Sequence, residues 1–296
     1  MPSGWPTLRE WYGCQFARLF HMDSSPDTIA QYLSTLRVWE RVTHNPTIDK
    51  LDPITLAGFR VDCPGSPATV AKHCRHLNHL FAKLGPPGPR NRDALGLLTV
   101  APWIKPPRHE QQQPRIPADD DVARFVARAP DDLALFAVLA ATTGSRNTAI
   151  RRLTPDAIDR AGQFLRFPAH TDKRRQERLK PIPALTLRWL TQHERQLARL
   201  KINASSFGAR WRRWALKVGT PTLRPHGLKR WWGAQLIRAQ APPWCTRYAL
   251  GHAQRDVTGL AYINPFDELA GLVDHIPLPP TFTTRLTRET QATLPF

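Results

Sequence analysis

Residues 105–117, KPPRHEQQQPRIP, divide this chain more sharply than any other part of its sequence. Proline neither propagates a helix nor donates to a sheet ladder, and glutamine buries little surface, so the stretch reads as an extended linker. A chain of 296 residues also exceeds the usual size of a single domain. The expected organisation is therefore a unit at residues 1–104, a linker at 105–117 and a unit at 118–296. The cations within the linker are either solvated or suited to crossing a phosphate backbone.

Both units are mainly helical by pattern. In the first, Leu8, Trp11, Phe16, Leu19 and Phe20 form an apolar stripe. Ser24-Ser25-Pro26-Asp27 then makes a turn and cap before Ile29, Tyr32, Leu33, Leu36 and Trp39. A third helix starts near Thr55 and stops before Cys63-Pro64-Gly65, and a fourth follows Ser66-Pro67, a serine cap with proline at the first helical position. That fourth helix sets Val70, Leu77, Leu80 and Phe81 against Lys72, His73, Arg75, His76 and His79. Three histidines at three-residue steps drift around a helix instead of converging on one ion, so no metal is expected. Lys72, Arg75 and His76 are read instead as facing a polyanion.

In the second unit, Asp119 to Ala129 carries acidic residues in its first turn, and Leu133 to Ala141 is apolar enough to be a buried core helix. Thr142-Thr143-Gly144-Ser145-Arg146 is a turn into a further helix, and Thr154-Pro155 starts a short one. Gln163 to Ala169 and Arg178 to Pro183 are expected strands, joined by the polar turn HTDKRRQE. Helices are expected at 186–200 and 204–218. In the latter Trp211 is read as core and Arg210, Arg212 and Arg213 as phosphate contacts, while Trp231 and Trp232 further on are also read as core. Beyond a short helical stretch at 268–273, the tail reads as proline-rich and poorly packing.

A formal net charge of +18 favours a polyanionic partner such as nucleic acid. An arginine-preferring genome would produce the same excess. Cys14, Cys63, Cys74 and Cys245 lack C-x-x-C spacing, and no basic, then apolar, leader opens the chain. These features point to a reducing, cytoplasmic setting. No apolar run is long enough to span a membrane.

The residues that carry chemistry fall late in the chain. His226, Lys229 and Arg230 share one helical turn, Leu250-Gly251-His252 follows, and Tyr262 stands ten residues beyond His252. A side-chain oxygen that attacks phosphorus stores the energy of a phosphodiester as a phosphoester, with no need of metal or nucleotide cofactor. A phenol can play that part if cations surround the growing negative charge. Arg146 can grip two non-bridging oxygens, His226 and His252 can share proton removal and oxyanion contacts, and Lys173 can protonate the leaving 5′-oxygen. Each has a plainer alternative: Tyr262 and His252 as packed core residues, His226 as a helix cap, Arg146 as a surface cation, and Lys173 as part of a solvated turn with Arg174 and Arg175.

The order of these motifs resembles the tyrosine recombinase, or phage integrase, family. Thr143-Gly144-Ser145-Arg146 is similar to its T-G-x-R. Lys173 with Arg178-Leu179-Lys180-Pro181-Ile182 is similar to its T-K-T-x-x-x-R-x-V-P-L hairpin. His226 to Arg230 is similar to its H-x-x-R, followed by L-G-H and the tyrosine. The resemblance implies a mainly α fold: an N-terminal helical, SAM-like core-binding domain and a mostly helical catalytic domain with a small β-hairpin, together a C-shaped clamp on double-stranded DNA. It also implies a synaptic tetramer, with the segment after Tyr262 docked on a neighbouring copy, and catalytic roles for Arg146, Lys173, His226, the second arginine, His252 and Tyr262. Two positions depart from the pattern. Lys229 stands where the second arginine belongs, with Arg230 one residue later, and Ala149 stands where an acidic residue usually supports the first arginine. Three rivals follow: a catalytically weakened DNA-binding relative, a type IB topoisomerase-like enzyme, and a basic RNA-binding protein.

Overall fold

A computed structural model describes residues 4–110, 113–171, 176–201, 203–252 and 264–291. Lys173, Arg174, Arg175 and Tyr262 lie outside the described residues. The chain divides between Gln113 and Pro114 into two units.

Three helices of the first unit begin with the same four-residue device. Ser25-Pro26, Asp52-Pro53 and Ser66-Pro67 open α3 (Pro26–Thr43), α4 (Pro53–Asp62) and α5 (Pro67–Leu84). In each, the cap side chain accepts the amide of a threonine three residues on: Thr28, Thr55 or Thr69. The cap satisfies one orphan amide, and proline removes another donor that would have had no partner. Ahead of them, α1 (Leu8–Trp11) and α2 (Ala17–Phe20) are joined by a π-helical turn, Tyr12–Phe16. Their apolar faces bury Trp11, Phe16, Leu36, Trp39, Phe59, Leu77 and Phe81 in one core.

One expectation for α5 fails here. His73 is buried, and its Nδ1 and that of His76 each lie 2.8 Å from the Thr35 hydroxyl on α3. His76 also stacks on Tyr32, with ring centroids 4.5 Å apart, and His79 Nδ1 lies 2.7 Å from the Tyr32 hydroxyl. His73 therefore faces the helical core and His76 is half-buried against it, while His79 stays exposed at its edge. Arg75 is left exposed and Lys72 half-buried on the outer face.

The second unit is built around α7 (Asp131–Thr143), in which every residue from Asp132 onward is buried. Its neighbours include α6 (Asp119–Arg128), α9 (Ala184–His193) and α11 (Pro225–Arg238). Between α10 (Ala204–Lys217) and the first two helices, Phe125 stacks on Trp211 at 4.2 Å and Phe136 packs against Phe207 at 4.7 Å. Trp211, Trp231 and Trp232 are all in the core. A single carboxylate ties α6 to α11: Asp119 accepts from Trp231 Nε1 at 2.7 Å, from Gln235 at 2.8 Å and from Arg238. After α8 (Asn147–Arg151) comes a small antiparallel sheet of β1 (Ile158–Asp159), β2 (Phe164–Phe167) and β3 (Arg178–Pro181) in that order, so the expected hairpin gains a third strand. Helix α12 (Pro243–Ala249) precedes the tail.

The tail corrects the sequence reading. It forms two helices, α13 (Pro265–Val273) and α14 (Pro280–Gln291), and α14 packs against α6 and α9 of its own unit. Phe282 and Leu286, four residues apart, are fully buried. Between them Arg285 donates to the carbonyls of Val126 and Ala129 at 2.7 and 2.6 Å, at the end of α6, and pairs with Asp131. Proline spacing concealed this short amphipathic stripe. The described tail packs on its own unit.

Candidate active site

Two left-handed glycines set the geometry. Gly144 ends α7 with φ of +61°, and its amide donates to Ala140. A β-carbon there would lie 2.9 Å from Trp232 Cδ1 and 3.1 Å from the Ala249 carbonyl, so only glycine lets this turn approach α11 and the end of α12. Thr143 folds its hydroxyl back to the Leu139 carbonyl at 2.6 Å and accepts the Ser145 amide. Arg146 follows as the extended N-cap residue of α8.

Leu250-Gly251-His252 is the second turn. The Gly251 amide donates to the Tyr248 carbonyl and the His252 amide to the Arg247 carbonyl, with Gly251 at φ of +62°. This paired pattern is a Schellman motif, which reverses the chain at a helix end and requires glycine at the left-handed position. It delivers His252, exposed, just past the end of α12.

Two lysines hold the same turn. Lys180, 3% exposed on β3, donates to the carbonyls of Tyr248 and Ala249 at 2.6 Å each and lies 5.2 Å from the Tyr248 ring centre. Lys229, 7% exposed on α11, donates to the Leu250 carbonyl. Helix ends leave their last carbonyls without partners, and a cation there also complements the helix dipole. Tyr248 completes the lock by donating to the Leu179 carbonyl at 2.7 Å, and burial pushes its phenol up to about 12.

These elements enclose one cavity, lined by Gly144, Ser145, Arg146, Ala149, Phe167, Arg178, Lys180, Lys229, Leu250 and Gly251. Ala149, at the position where an acidic residue was expected, is part of its wall. His226 is the second residue of α11, after Pro225, so it lies within the helix and does not cap it. Burial, then the positive charges of Arg230, Lys229 and Arg146, hold its imidazole below the usual histidine range. Arg146, His226, Lys229, Arg230 and His252 thus belong to the same end of the unit, whereas Lys173 and Tyr262 lie outside the described residues. Arg212 and Arg213 are exposed on α10. Arg210 instead pairs with Asp132 at 2.7 Å, so its charge is matched within the unit.

Sequence reasoning passed over Lys180 and Arg178. The signal was present: Lys180 occupies the valine position of R-x-V-P-L, and a lysine at an inward strand position calls for a buried partner.

Comparison with known proteins agrees with this fold. A model described as the phage integrase family matches residues 118–268, about half of the chain. A lambda integrase tetramer bound to a Holliday junction superposes with a TM-score of 0.64 at 18% identity, covering 84% of this chain and 78% of that one. Lambda integrase bound to DNA gives 0.62 at 17% identity, covering 93% and 100%. The Tn1549 transposon integrase in complex with transposon right end DNA gives 0.62 at 14% identity, covering 97% and 100%. No curated protein sequence matches the chain.

Proposed function

Because this chain belongs to the phage integrase family, we propose that it is a site-specific DNA recombinase that cuts and rejoins duplex DNA through a 3′-phosphotyrosyl bond on Tyr262. The carrying observation is the convergence of Arg146, Arg178, Lys229 and the Leu250-Gly251 turn, from four separate parts of the chain, on one cavity. An electropositive hollow of this kind suits a phosphodiester, whose transition state gathers negative charge on the non-bridging oxygens.

In this reading Tyr262 attacks phosphorus and the 5′-oxygen leaves, protonated by Lys173. Arg146 grips the non-bridging oxygens. His226, whose imidazole desolvation and neighbouring cations hold below the usual histidine range, accepts the phenol proton, and His252 donates to the phosphorane. Strand exchange is the reverse attack by a 5′-hydroxyl from the partner duplex, so bond energy is conserved and no nucleotide is consumed. Exposed Arg75, Arg212 and Arg213, with half-buried Lys72 and with Arg174 and Arg175, track the phosphate backbone. Two duplexes brought together by four copies would form the synapse, in a cytoplasmic, nucleoid-associated setting. Among the described residues no helix is long and apolar enough to cross a membrane.

A pool of nicked suicide duplexes with randomised arms tests this directly, since loss of the short cleaved strand traps the covalent intermediate. Wild type should accumulate a detergent-resistant adduct, and Tyr262→Phe should bind the same duplexes without forming one. Binding with no adduct from wild type would leave a DNA-binding relative that has lost catalysis. Relaxation of supercoiled plasmid by the monomer without regard to sequence would leave the topoisomerase reading.

A further inference from the structure

The helix position that gives this family its second arginine is occupied here by Lys229, and that lysine is already committed. It is 7% exposed and its ammonium donates to the Leu250 carbonyl, so it supports the turn before His252. Arg230 is the next residue, but it lies about a hundred degrees further round the helix, exposed beside His226. It is not part of the cavity wall. A phosphate clamp that needs two planar forks therefore has one, Arg146, with the second unaccounted for.

A guanidinium does stand in the vacant quarter. Arg178, the first residue of β3, lines the cavity with Arg146. Its Nε and Cζ lie 3.6 and 3.7 Å from the point that a β-carbon on Gly251 would occupy. The guanidinium thus overlies Gly251 at van der Waals range, immediately before His252. The Arg178 side chain is half-buried and donates to Gln176 Oε1 at 3.3 Å.

The geometry points to Arg178 as the second phosphate-gripping residue of the reaction, supplied from β3 in place of α11, with Lys229 converted into a positioning residue for Leu250-Gly251-His252. This rests on the recombinase reading above. It also accounts for Lys180 beside it: with Lys229 at Leu250 and Lys180 at Tyr248 and Ala249, the last three carbonyls of the α12 end are all held, and the turn that Arg178 overlies is fixed.

The test measures adduct formation on trapped nicked duplexes carrying either an ordinary phosphate or an uncharged methylphosphonate at the cleaved bond. Arg178→Ala should slow cleavage of the phosphate substrate about a hundredfold, the usual loss for one oxyanion-contacting group, with DNA affinity nearly kept. Arg178→Lys, which keeps the charge and any fold that depends on it, should recover less than about a tenth of the wild-type rate. On methylphosphonate, where one negative charge is already removed, the Arg178→Ala deficit should shrink to within about tenfold. Lys229→Arg, which restores the family residue, should not accelerate the reaction, because the longer fork displaces the carbonyl contact. Lys229→Met should lower the rate equally on both substrates, as expected of a positioning role. The proposal is overturned if Lys229→Arg raises the rate, or if the Arg178→Ala deficit is the same on both substrates. A wild type that forms no adduct at all defeats the recombinase reading itself, and this proposal with it.

Discussion

Replacing Gly144 with alanine is the sharpest probe of how this fold makes its site. The residue sits at φ of +61°, where an L side chain costs roughly 1 kcal/mol, and the added β-carbon would fall 2.9 Å from Trp232 Cδ1 and 3.1 Å from the Ala249 carbonyl. Trp232 is fully packed and the carbonyl belongs to the lysine-capped end of α12, so neither can yield cheaply. Overpacking of this kind adds about 1–3 kcal/mol, giving about 2–4 kcal/mol in all. Urea unfolding followed by tryptophan fluorescence reports the loss as a lower midpoint at unchanged slope. Gly208→Ala is the matched control. Gly208 lies within α10 with open space where its β-carbon would go, so alanine there should stabilise by about 0.5–1 kcal/mol. If Gly144→Ala stays within about 0.5 kcal/mol of wild type, the turn is not the rigid hinge that fixes Arg146, and the argument for the site weakens accordingly.

The first unit should be sensitive to acid. Burial is the leading cause holding His21, His73, His76 and His79 below the usual histidine range, with Lys72, Arg75 and Lys83 adding repulsion, and His76 falls to about 4. Folding therefore favours neutral imidazoles, so stability is complete above about pH 6.5 and declines as the pH falls towards about 4, while the unfolded chain takes up protons that the folded one refuses. Allowing for solvent screening, His76 alone contributes on the order of 1–2 kcal/mol of that loss. Calorimetry at pH 7 and pH 5 should show the transition of this unit moving down, and His76→Gln should reduce the movement; an unchanged transition would contradict the placement of these rings. In the tail, Arg285→Ala strips the partners from the carbonyls of Val126 and Ala129 and from Asp131, and should cost about 2–3 kcal/mol in urea. A negligible cost would mean that α14 is not seated on its own unit in solution.

Helix positions were legible wherever local chemistry writes them down, as in the Ser-Pro pairs at Ser25 and Ser66, whose caps the structure reproduces. Long-range partners were not. Nothing in the composition of α5 tells that His73 and His76 would turn to Thr35 on another helix, and a helical wheel dominated by Lys72 and Arg75 suggested the opposite face. The tail was misread for a related reason: Phe282, Arg285 and Leu286 form too short a stripe to register until α6 is beside it. At the site, the T-G-S-R and L-G-H turns were readable because a left-handed glycine is a local requirement. The burial of Lys180 and the position of Arg178 in the cavity wall depend on which carbonyls and cations meet across the sheet and α12, information that spacing along the chain does not contain.

The proposed reaction requires a phosphodiester in the cavity between Arg146, Arg178 and the Gly251-His252 turn. A crystal structure of the protein on a nicked duplex, with vanadate bridging the nick, measures this directly. The expected result has both guanidiniums and His252 within hydrogen-bond distance of the equatorial oxygens and the Tyr262 oxygen at an apical position. Vanadium bound elsewhere, or a cavity that stays empty while DNA is held, would contradict it.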